Sequence, residues 1–572
     1  MEHTLGQLAD ACGLQRPDKP AKETVSGLAT ASPVVRTLLG LEAPRWEETP
    51  VDYQVISPIL NETQRAALSF ALRAEQVALV HGPPGTGKTT AVAELIVQLA
   101  LLHPNARILV CGASNLAVDN LLERVLTTPE YKDALQRADA RCTRIGHPAR
   151  VLPALTGATL DVQSTSSDEG QLVREVAQEI NELMSVLSPR SNAPRAGNKS
   201  GRTAPRPKGT ERRRLWEQVR ALRNEYRKRD RTLTGTVLQR ARIVMATCHG
   251  AGSRQLEGVE FDYVVIDEAC QALEASCWTA VLKLTRHGRL FLAGDHLQLP
   301  PTVKATSYDS AVPRSAIAPA APRGATQPPL ASRATTMFDR MLQMYGDGCK
   351  RLLNVQYRMC TEIMAFPSAQ LYEDQLVAHE SCAAIRLADL PDYDAGDGDD
   401  DVVGAPLVFY DTTGTGMFER LAEDDLQSQS RSNENEAQLV ARHVDQLVSR
   451  GLSPSSIAVL SPYAAQVDTL SRQLREAHGA DIEVGTVDGM QGREKDVVVL
   501  SLVRSNEDHE IGFLRDKRRL NVGMTRARRQ LVVVGDAETV GGAARDASDA
   551  RAFLRAWMEH LHEHALVEMN PE

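Results

Sequence analysis

The sequence lacks the features that mark membrane and secreted proteins. No apolar run in its 572 residues approaches the roughly 20 residues that a spanning helix needs. Residues 1–13 lack the basic start and apolar run of a signal peptide. The nine cysteines form no C-x-x-C pair and no zinc-like cluster with histidine. These absences predict an intracellular protein of the cytoplasm and/or nucleus, with no membrane association and with reduced thiols.

Length and charge limit the remaining classes. A chain of 572 residues is too long for one hydrophobic core, and it predicts roughly two to four domains. The formal net charge of −9 argues against a protein whose whole surface binds nucleic acid. A local basic patch remains compatible with that charge.

Short apolar runs rich in β-branched residues recur from Val77 onward, and helix-like segments lie between some of them. The first set is VALV, RILVCGAS, RIVMATC, YVVIDEA and RLFLAGD, and the second is PLVFYDT, IAVLSPY, IEVGTVDGM, DVVVLSLV and QLVVVGD. Buried strands that alternate with helices predict parallel sheets whose functional loops follow the carboxyl ends of the strands. The fold class predicted from these patterns is therefore α/β, with two similar cores.

Several stretches interrupt this pattern. Residues from about 160 to 240 predict a helical insertion, and its middle, SPRSNAPRAGNKSGRTAPRPKGT, has the composition of a disordered segment. Residues 303–335 and 391–402 have the composition of flexible loops, to which we assign no chemistry. Near the start of the chain, SPVVRTLLGL predicts one amphipathic helix.

The second half of the insertion predicts a strongly basic helix, ERRRLWEQVRALRNEYRKRDR. Its possible cationic face consists of Arg213, Arg220, Arg223, Arg227 and Arg231. Such a face can bind phosphates, but runs of charge are more often solvated surfaces. Both interpretations stay open from the residues.

The stretch HGPPGTGKTT, residues 81–90, contains the pattern G-x-x-x-x-G-K-[ST]. In this pattern the loop amides and the following helix N-terminus bind nucleotide phosphates. Lys88 is predicted to reach the β and γ phosphates, and the Thr89 hydroxyl is predicted to ligate Mg²⁺. The loop predicts a bound triphosphate, but it leaves open what the hydrolysis drives.

Two downstream stretches complete a hydrolytic site. YVVIDEA is a strand that ends in Asp267, which is placed to hold Mg²⁺, and Glu268, which is placed to take a proton from the attacking water. Alone, such a pair is structural more often than not, but downstream of a P-loop it indicates hydrolysis. In LAGDHLQLPP, Gln298 follows Asp295 and can sense the γ-phosphate. A simple turn with a proline stop fits the composition of that stretch equally well.

An ordered set of motifs resembles the superfamily 1 helicases of the up-frameshift type. The motifs are LNETQ, GPPGTGKTT, ASNLAVDNLLERV, VVIDEA, GDHLQLPP, QYRM, SPYAAQV, VDGMQGREKDVVVLS and RRLNVGMTRAR. The runs RIGHPARVL and ACQALEASCW look most like the immunoglobulin mu-binding branch. The resemblance covers roughly residue 30 to the C-terminus.

The resemblance implies two RecA-like domains with ATP in the cleft between them. The implied boundaries are a stalk-like helical segment at 1–56, RecA-like domain 1 at 57–340 with the basic insertion at about 157–240, RecA-like domain 2 at 341–565, and a tail at 566–572. The implied activity is that of an ATP hydrolase and helicase or translocase on single-stranded RNA and/or DNA, with 5′→3′ polarity. The implied partners are the strand and, as an open option, ribonucleoproteins or ribosomes, and the chain is expected to be a monomer.

The same resemblance implies roles for individual residues of the ATP site. Gln64 would read the adenine edge, Tyr357 would stack on the ring, and Gln298 and Glu494 would complete the site. Arg358 and Arg526 look like arginine fingers aimed at the γ-phosphate. The implied nucleotide-binding set is Gln64, Gly82, Pro83, Pro84, Gly85, Thr86, Gly87, Lys88, Thr89, Thr90, Gln298, Tyr357 and Glu494.

The same resemblance implies a set of nucleic-acid contacts, in which hydroxyls, amides and helix N-termini suit phosphate contacts made without base specificity. They are Ser114, Asn115, Thr247, Pro462, Tyr463, Thr486 and Asp488. By similarity these residues contact or organise the backbone of a single strand.

The sequence departs from this family's pattern at its ends. Relatives of this branch carry a small β-barrel on two stalk helices before LNETQ, and longer ones also carry an R3H module and a zinc finger. We expect all three to be absent here, either because this is a minimal form or because the gene model is truncated, and we expect weaker strand binding and poor processivity. The alternatives are a nucleotide-driven clamp that remodels ribonucleoproteins without unwinding and, less favoured because no nuclease-like carboxylate cluster is visible, a nuclease-helicase remnant.

Overall fold

The computed structural model describes residues 31–166, 168–187, 209–302, 335–395, 402–421, 430–542 and 549–569. Several predictions fall outside these ranges. They are the stalk-like helix at the start of the chain, the disordered middle of the insertion, and residues 303–334 and 396–401 of the two loops. Among the described residues, no helix is both long and apolar enough to cross a bilayer.

The chain divides into two compact units. The first consists of Met1–Leu60, Leu68–Ala78 and Thr89–Leu292. The second consists of Asn61–Ala67, Leu79–Lys88 and Ala293–Glu572. The P-loop up to Lys88 is therefore grouped with the second unit, together with QYRM and RRLNVGMTRAR.

A seven-stranded sheet contains the first set of predicted strands. Its strands are β1 (Val77–His81), β2 (Ile108–Gly112), β3 (Arg141–Arg144), β4 (Ala241–Thr247), β5 (Phe261–Asp267), β6 (Leu284–Gly294) and β7 (Lys350–Leu352). Their order is β3-β4-β2-β5-β6-β1-β7. The parallel register aligns Gly112 with Thr247 on one side and with Asp267 on the other. Functional residues that are distant in sequence thus share one edge, as expected for parallel strands.

The helices of this part begin with α1 (Pro33–Leu38), α2 (Glu62–Arg73), α3 (Lys88–Leu102), α4 (Asn115–Thr127) and α5 (Pro129–Arg137). The predicted insertion follows as α6 (Leu160–Thr165), α7 (Asp168–Leu187) and α8 (Thr210–Arg240), and α9 (Glu274–Val281) lies after β5. The insertion is therefore helical where it is described. The basic segment lies within α8, and the five arginines of its predicted face are exposed.

A six-stranded sheet contains the second set. Its strands are β10 (Leu407–Asp411), β13 (Ile457–Ser461), β14 (Glu483–Thr486), β15 (Lys495–Ser501), β16 (Ala527–Gly535) and β17 (Leu566–Met569), in the order β14-β13-β15-β16-β10-β17. All the paired strands in this sheet are parallel. Two ribbons pair β8 (Val355–Gln356) with β9 (Val377–Ala378) and β11 (Arg420–Leu421) with β12 (Arg431–Ser432).

The remaining helices are α10 (Met337–Tyr345), α11 (Thr361–Leu371), α12 (Glu380–Ala383), α13 (Glu434–Ser449), α14 (Ala464–His478), α15 (Lys517–Met524), α16 (Ala537–Gly541) and α17 (Asp549–His564). The six-stranded sheet is covered by a buried cluster on each face. Leu407 and Phe409 belong to one cluster, and Val408 and Tyr410 belong to the other. This alternation follows from the two-residue period of a strand.

The α/β class with parallel sheets is confirmed, and each of the ten predicted apolar runs contains a strand. The structure differs from the prediction at Leu566–Met569, which were assigned to a tail but pair with β10. The four-residue run LVEM is too short to stand out in sequence, and its pairing with a distant strand makes it part of the sheet. The charged β3, RCTR, was missed for the same reason.

Candidate nucleotide site and nucleic-acid interface

The P-loop links β1 to α3 through a turn that requires glycine. Gly85 and Gly87 have φ angles of 75° and 71°, in the left-handed region that favours glycine. A Cβ atom at Gly82 would lie 2.6 Å from the Cβ of Lys88. Glycine at this position therefore allows the Lys88 stem to fold back along the loop. The Thr86 hydroxyl closes the turn by donating to the Pro83 carbonyl at 2.7 Å.

The predicted adenine-reading residue Gln64 is connected directly to the P-loop. Its side-chain amide donates to the Thr86 carbonyl at 2.9 Å, and its side-chain oxygen accepts from the Asn61 backbone at 3.0 Å. Asn61 in turn donates its side-chain amide to the Tyr357 hydroxyl at 3.0 Å. Gln64 is buried, with 3% of its surface exposed. Asn61 thus joins the two residues that are predicted to recognise the base, although sequence reasoning did not single it out.

The QYRM segment packs against the same loop. The Tyr357 backbone donates to the Gly85 carbonyl at 2.9 Å, and a Cβ at Gly85 would lie 2.7 Å from the Cβ of Arg358. The buried Gln356 shapes this turn, because its side-chain oxygen accepts from the backbone of Arg358 and Met359 at 2.8 Å each. The turn therefore places the backbone of Arg358 directly beside the phosphate loop.

The two predicted arginine fingers have different surroundings. Arg358 donates to the Glu494 carboxylate and, at 3.0 Å, to the Thr525 carbonyl. Arg526 is almost fully buried and donates to the carbonyls of Val522 and Arg493. It also donates to the side-chain oxygen of Gln298 at 3.4 Å. Arg526 and the predicted γ-phosphate sensor are thus adjacent, and Glu494 is paired with the other arginine.

Asp295 is the centre of a buried hydrogen-bond network behind Gln298. Its carboxylate accepts from the side chains of His81, Gln298 and Tyr372 at 2.8–2.9 Å. Asn521 donates to the Tyr372 hydroxyl and, from the same amide nitrogen, to the Leu297 carbonyl, at 2.8 Å each. The network joins the end of β1, directly before the P-loop, to the helix α15 that precedes Arg526.

Charge within this network is concentrated on Asp295. Burial acts to raise its pKa, but the hydrogen bond and charge of His81 and the hydrogen bond from Gln298 lower the pKa to about 2. Burial, followed by the charge of His81, lowers the pKa of His296 to about 4. His81, Asp295 and His296 lie close enough to resemble a metal cluster. We assign them to the network, since the carboxylate already accepts four hydrogen bonds and Mg²⁺ prefers oxygen ligands.

The predicted metal and base residues lie at the end of β5, in the first unit. Asp267 is buried, and one of its oxygens accepts from the Glu268 backbone at 2.8 Å. Glu268 has a φ angle of 53°, a left-handed conformation that is uncommon for a residue with a side chain. Gln271 donates to the Glu268 carboxylate at 2.6 Å. The Asp267 carboxylate and the Thr89 hydroxyl are oxygen donors of the kind that Mg²⁺ prefers.

Three predicted strand-binding residues lie on the shared edge of β2, β4 and β5. Ser114 caps α4 by accepting from the Ala117 backbone at 3.2 Å, and both Ser114 and Asn115 are exposed. Arg144 holds the Asn115 side-chain oxygen at 2.9 Å and is itself paired with buried Asp119. Thr247 caps the next turn by accepting from the Gly250 backbone. Arg144 is therefore a positioning residue that the sequence did not reveal.

The four other predicted strand-binding residues lie in the second unit. Asp488 is exposed and holds Arg519 through two hydrogen bonds of 3.0 and 3.3 Å. Thr486 caps the turn that contains Asp488, and Pro462 is half-buried. Tyr463 is only 1% exposed, and its hydroxyl accepts from the Phe513 backbone at 3.2 Å. Of the two roles predicted for Tyr463, this geometry favours organising the site over touching a strand.

Known proteins resemble this chain over most of its length. Models of two families, each described as an AAA domain, match residues 59–306 and 333–538. The DNA polymerase alpha-associated DNA helicase A of Schizosaccharomyces pombe is 38% identical over 518 residues, which cover 90% of this chain and 68% of that protein.

Two further relatives are longer than this chain. The DNA-binding protein SMUBP-2 of Mus musculus is 37% identical over 543 residues, which cover 94% of this chain and 48% of that protein. A regulator of nonsense transcripts 1 homolog of Neurospora crassa is 30% identical over 530 residues, covering 90% of this chain and 41% of that protein.

The residues that these family models match include every motif that contributes to the P-loop assembly. These similarities confirm the expected enzyme class, an ATP-hydrolysing helicase, and leave the roles of individual residues as predictions. The chain therefore belongs to the superfamily 1 helicases of the up-frameshift type, in the branch that includes the immunoglobulin mu-binding helicases, a family of ATP-dependent enzymes that act on nucleic acids.

Proposed function

We propose that the chain moves along single-stranded nucleic acid in the 5′→3′ direction and unwinds duplexes as it hydrolyses ATP. One observation carries this proposal. Within the second unit, the P-loop, Gln298 and both arginines belong to one hydrogen-bonded assembly centred on Gly85 and Asp295. A nucleotide bound to that loop would contact groups from segments that are far apart in sequence, so its hydrolysis could change their arrangement.

In this proposal the nucleotide is ATP. The backbone N–H groups between Gly85 and Gly87 and the N-terminus of α3 bind the phosphates, with Lys88 on the β and γ groups. Gln64 recognises the adenine edge, and Tyr357 stacks on the ring. Asn61 keeps the last two in register through its hydrogen bonds to both.

Hydrolysis then depends on groups placed around the γ-phosphate. Glu268, whose carboxylate is oriented by Gln271, accepts the proton of the attacking water. Arg358 and Arg526 donate to the phosphoryl oxygens as negative charge develops on them. Thr89 and Asp267 would hold Mg²⁺, which when bound offsets the negative charge of the phosphates.

The strand is proposed to bind through Ser114, Asn115 and Thr247 in the first unit and through Pro462, Thr486 and Asp488 in the second. Hydroxyl and amide groups at helix and turn N-termini suit contacts to phosphate and sugar. Such contacts do not read bases, and we propose that both RNA and DNA strands are bound. The names of the relatives, which mention both DNA and transcripts, support this choice.

We also propose that the catalytic core consists of two RecA-like domains, with the boundary between them in the sequence near residue 340. The protein would act as a monomer in the cytoplasm or nucleus, with ribonucleoproteins among its partners.

The deciding experiment is an unwinding assay on four duplexes, RNA or DNA, each with a 5′ or a 3′ single-stranded tail. We expect ATP-dependent strand separation from the 5′-tailed duplexes only. The variant Glu268→Gln is the matched control, because it should bind ATP and strand but turn over slowly. Unwinding from the 3′-tailed duplexes would contradict the polarity. Strand-stimulated hydrolysis without separation of any duplex would favour the remodelling clamp instead.

A further inference from the structure

Phe513 is an aromatic residue on the protein surface, and it has no role in the proposed nucleotide site. It lies in the short turn Gly512–Arg515 between β15 and α15, and 47% of its surface is exposed. Exposing a phenylalanine to water gives up the free energy that its burial would contribute. One exposed apolar residue is common on protein surfaces, so its setting decides whether it has a role.

The backbone of this residue is held rigidly. Gly512 has a φ angle of 51°, and a Cβ atom there would lie 2.5 Å from the Tyr463 hydroxyl and 2.6 Å from an Arg504 nitrogen. The Phe513 backbone donates to the Tyr463 hydroxyl at 3.2 Å. Arg504 is itself fixed by a buried ion pair with Glu419 at 2.9 Å. Phe513 is therefore presented from a fixed support rather than from a loose loop.

The aromatic ring of Phe513 is also held in position, because it packs on Tyr463. The ring centroids of Phe513 and Tyr463 are 5.2 Å apart, with the rings inclined at 55°. One side of Phe513 therefore packs on a buried tyrosine, and the exposed side remains available to a planar ligand.

The neighbours of Phe513 belong to the proposed strand interface. Pro462, Phe513 and Arg519 line one small apolar cavity. Arg519 is paired with Asp488, and Pro462 immediately precedes Tyr463. Phe513 thus packs on Tyr463 and shares a cavity with Pro462, two predicted strand-binding positions, and with Arg519, the partner of a third, Asp488.

We propose that Phe513 is a stacking platform for one base of the bound strand. The inference rests on the proposed function, because it adds a base contact to a strand otherwise held by its backbone. An aromatic face accepts any base, so it adds affinity without adding sequence preference. A strand bound here would lay its phosphates along the polar groups and one base on the ring.

The test measures binding of fluorescent single-stranded DNA and RNA oligonucleotides by anisotropy, with no nucleotide present and at matched salt. Phe513→Ala should weaken binding by about 5- to 150-fold, the range for losing one base-stacking aromatic. Phe513→Trp should retain or improve the affinity. Phe513→Leu, which keeps apolar volume without an aromatic face, should behave like the alanine variant. Phe418→Ala is the matched control, because Phe418 is 57% exposed in the same unit but does not line this cavity.

An abasic nucleotide moved along the oligonucleotide gives an independent readout. In the wild-type protein one position should weaken binding more than the others. In Phe513→Ala that position should no longer stand out, because the stacked pair is already broken. Circular dichroism and the thermal midpoint report whether each variant is folded.

The outcomes distinguish failure of the stacking platform from failure of the proposed function. If the wild-type protein binds strands and folded Phe513→Ala binds them within twofold, the platform is wrong and the proposed function stands. If Phe513→Leu restores the affinity, apolar packing rather than stacking is responsible and the inference is also overturned. If the wild-type protein binds neither DNA nor RNA strands, the proposed function itself fails.

Discussion

The side chains assigned to ATP and those assigned to the strand differ in how they are held. Gln64 and Arg526 are only 3% and 2% exposed, and each makes at least three hydrogen bonds to neighbours in the same assembly. Ser114, Asn115 and Asp488 are exposed. Of these, Ser114 caps its own helix, and the other two are held by arginines. The side chains assigned to ATP, here called the nucleotide cluster, are therefore preorganised. Those assigned to the strand, here called the strand cluster, are exposed to solvent.

This difference corresponds to the two ligands. A nucleotide has one shape and must be held accurately for its γ-phosphate to react, so a preorganised set of groups is favourable. A strand must move past the protein, so contacts that form and break separately are favourable. Substitutions in the nucleotide cluster should therefore have large effects on rate, and those in the strand cluster small effects on affinity.

The largest effect is expected at Arg526. Arg526→Ala should lower strand-stimulated hydrolysis by about 10³-fold or more, the scale of a lost arginine finger, with little change in strand affinity. Arg358→Ala should act in the same direction. Hydrolysis rates and anisotropy are measured on the same preparations, with exposed Arg555→Ala as the control. If strand affinity falls in step with the hydrolysis rate, neither arginine is a finger.

The next effect concerns Glu268, the proposed general base. Glu268→Gln should slow ATP turnover by at least about a hundredfold, because the water loses its proton acceptor, while nucleotide affinity is retained. Lys88→Ala should instead weaken nucleotide binding. Turnover is measured at saturating ATP, and affinity with a fluorescent ATP analogue. Turnover of Glu268→Gln within threefold of wild type would remove this residue from the mechanism.

A third effect concerns Glu436, which is fully buried in the second unit and accepts from the Ser501 hydroxyl and from the Val503 backbone. Burial raises its pKa to about 8 from an ordinary value of 4.5. Between these values the folded protein binds a proton that the unfolded chain does not. The free energy of unfolding should therefore fall by up to about 1.4 kcal/mol per unit as pH rises through this window, and it should level off above it.

Glu436→Gln should remove this dependence, since the amide does not titrate. Urea unfolding at several pH values between 5 and 9, for wild type and variant, measures the difference. Parallel stability curves for the two proteins would show that Glu436 does not titrate in this range.

A smaller effect is expected at Asn61. Asn61→Ala should raise the KM for ATP about tenfold, since the Asn61 side chain loses its hydrogen bonds to the Tyr357 hydroxyl and from the Gln64 backbone, at about 0.5–1.5 kcal/mol each. The preference for ATP over GTP should fall as well, whereas kcat should change little. Steady-state rates with both nucleotides provide the measurement, and Thr63→Ala, which removes only a bond to Asn61, is the milder control. A lower kcat with unchanged KM would contradict the role in base recognition.

The smallest effect is expected at Ser114. Ser114→Ala removes one exposed cap and one proposed strand contact, so strand affinity should fall by no more than about tenfold, the value of one hydrogen bond. Anisotropy titrations at two salt concentrations measure it, and Ser114→Thr should restore it. A loss of strand affinity as large as the loss of rate expected at the nucleotide cluster would contradict this difference between the clusters. It would show that the strand site is also preorganised.

Local sequence was sufficient wherever the deciding residues are close together in the chain. The ten apolar runs became strands because short runs of apolar residues, most of them rich in β-branched residues, favour a buried strand. The P-loop was predictable because Gly82 and Lys88 make contact within seven residues and because Gly85 and Gly87 adopt positive φ angles. Gly451, which lies just after the end of α13, is likewise a local stop signal, with a φ angle of 92°.

The tertiary structure decided what depends on distant residues. Asn61 and Tyr357 are 296 positions apart, and Gln298 and Arg526 are 228 apart, so no local pattern relates them. Leu566–Met569 form a strand only because β10 provides an edge to pair with. Phe513 is a candidate platform only because Tyr463, 50 residues earlier, supports its backbone. Sequence alone determined which segments could form strands, helices and a phosphate loop, since those preferences act over a few residues. The chain fold determined which side chains meet, because hydrogen bonds and packing act over distance in space and not along the sequence.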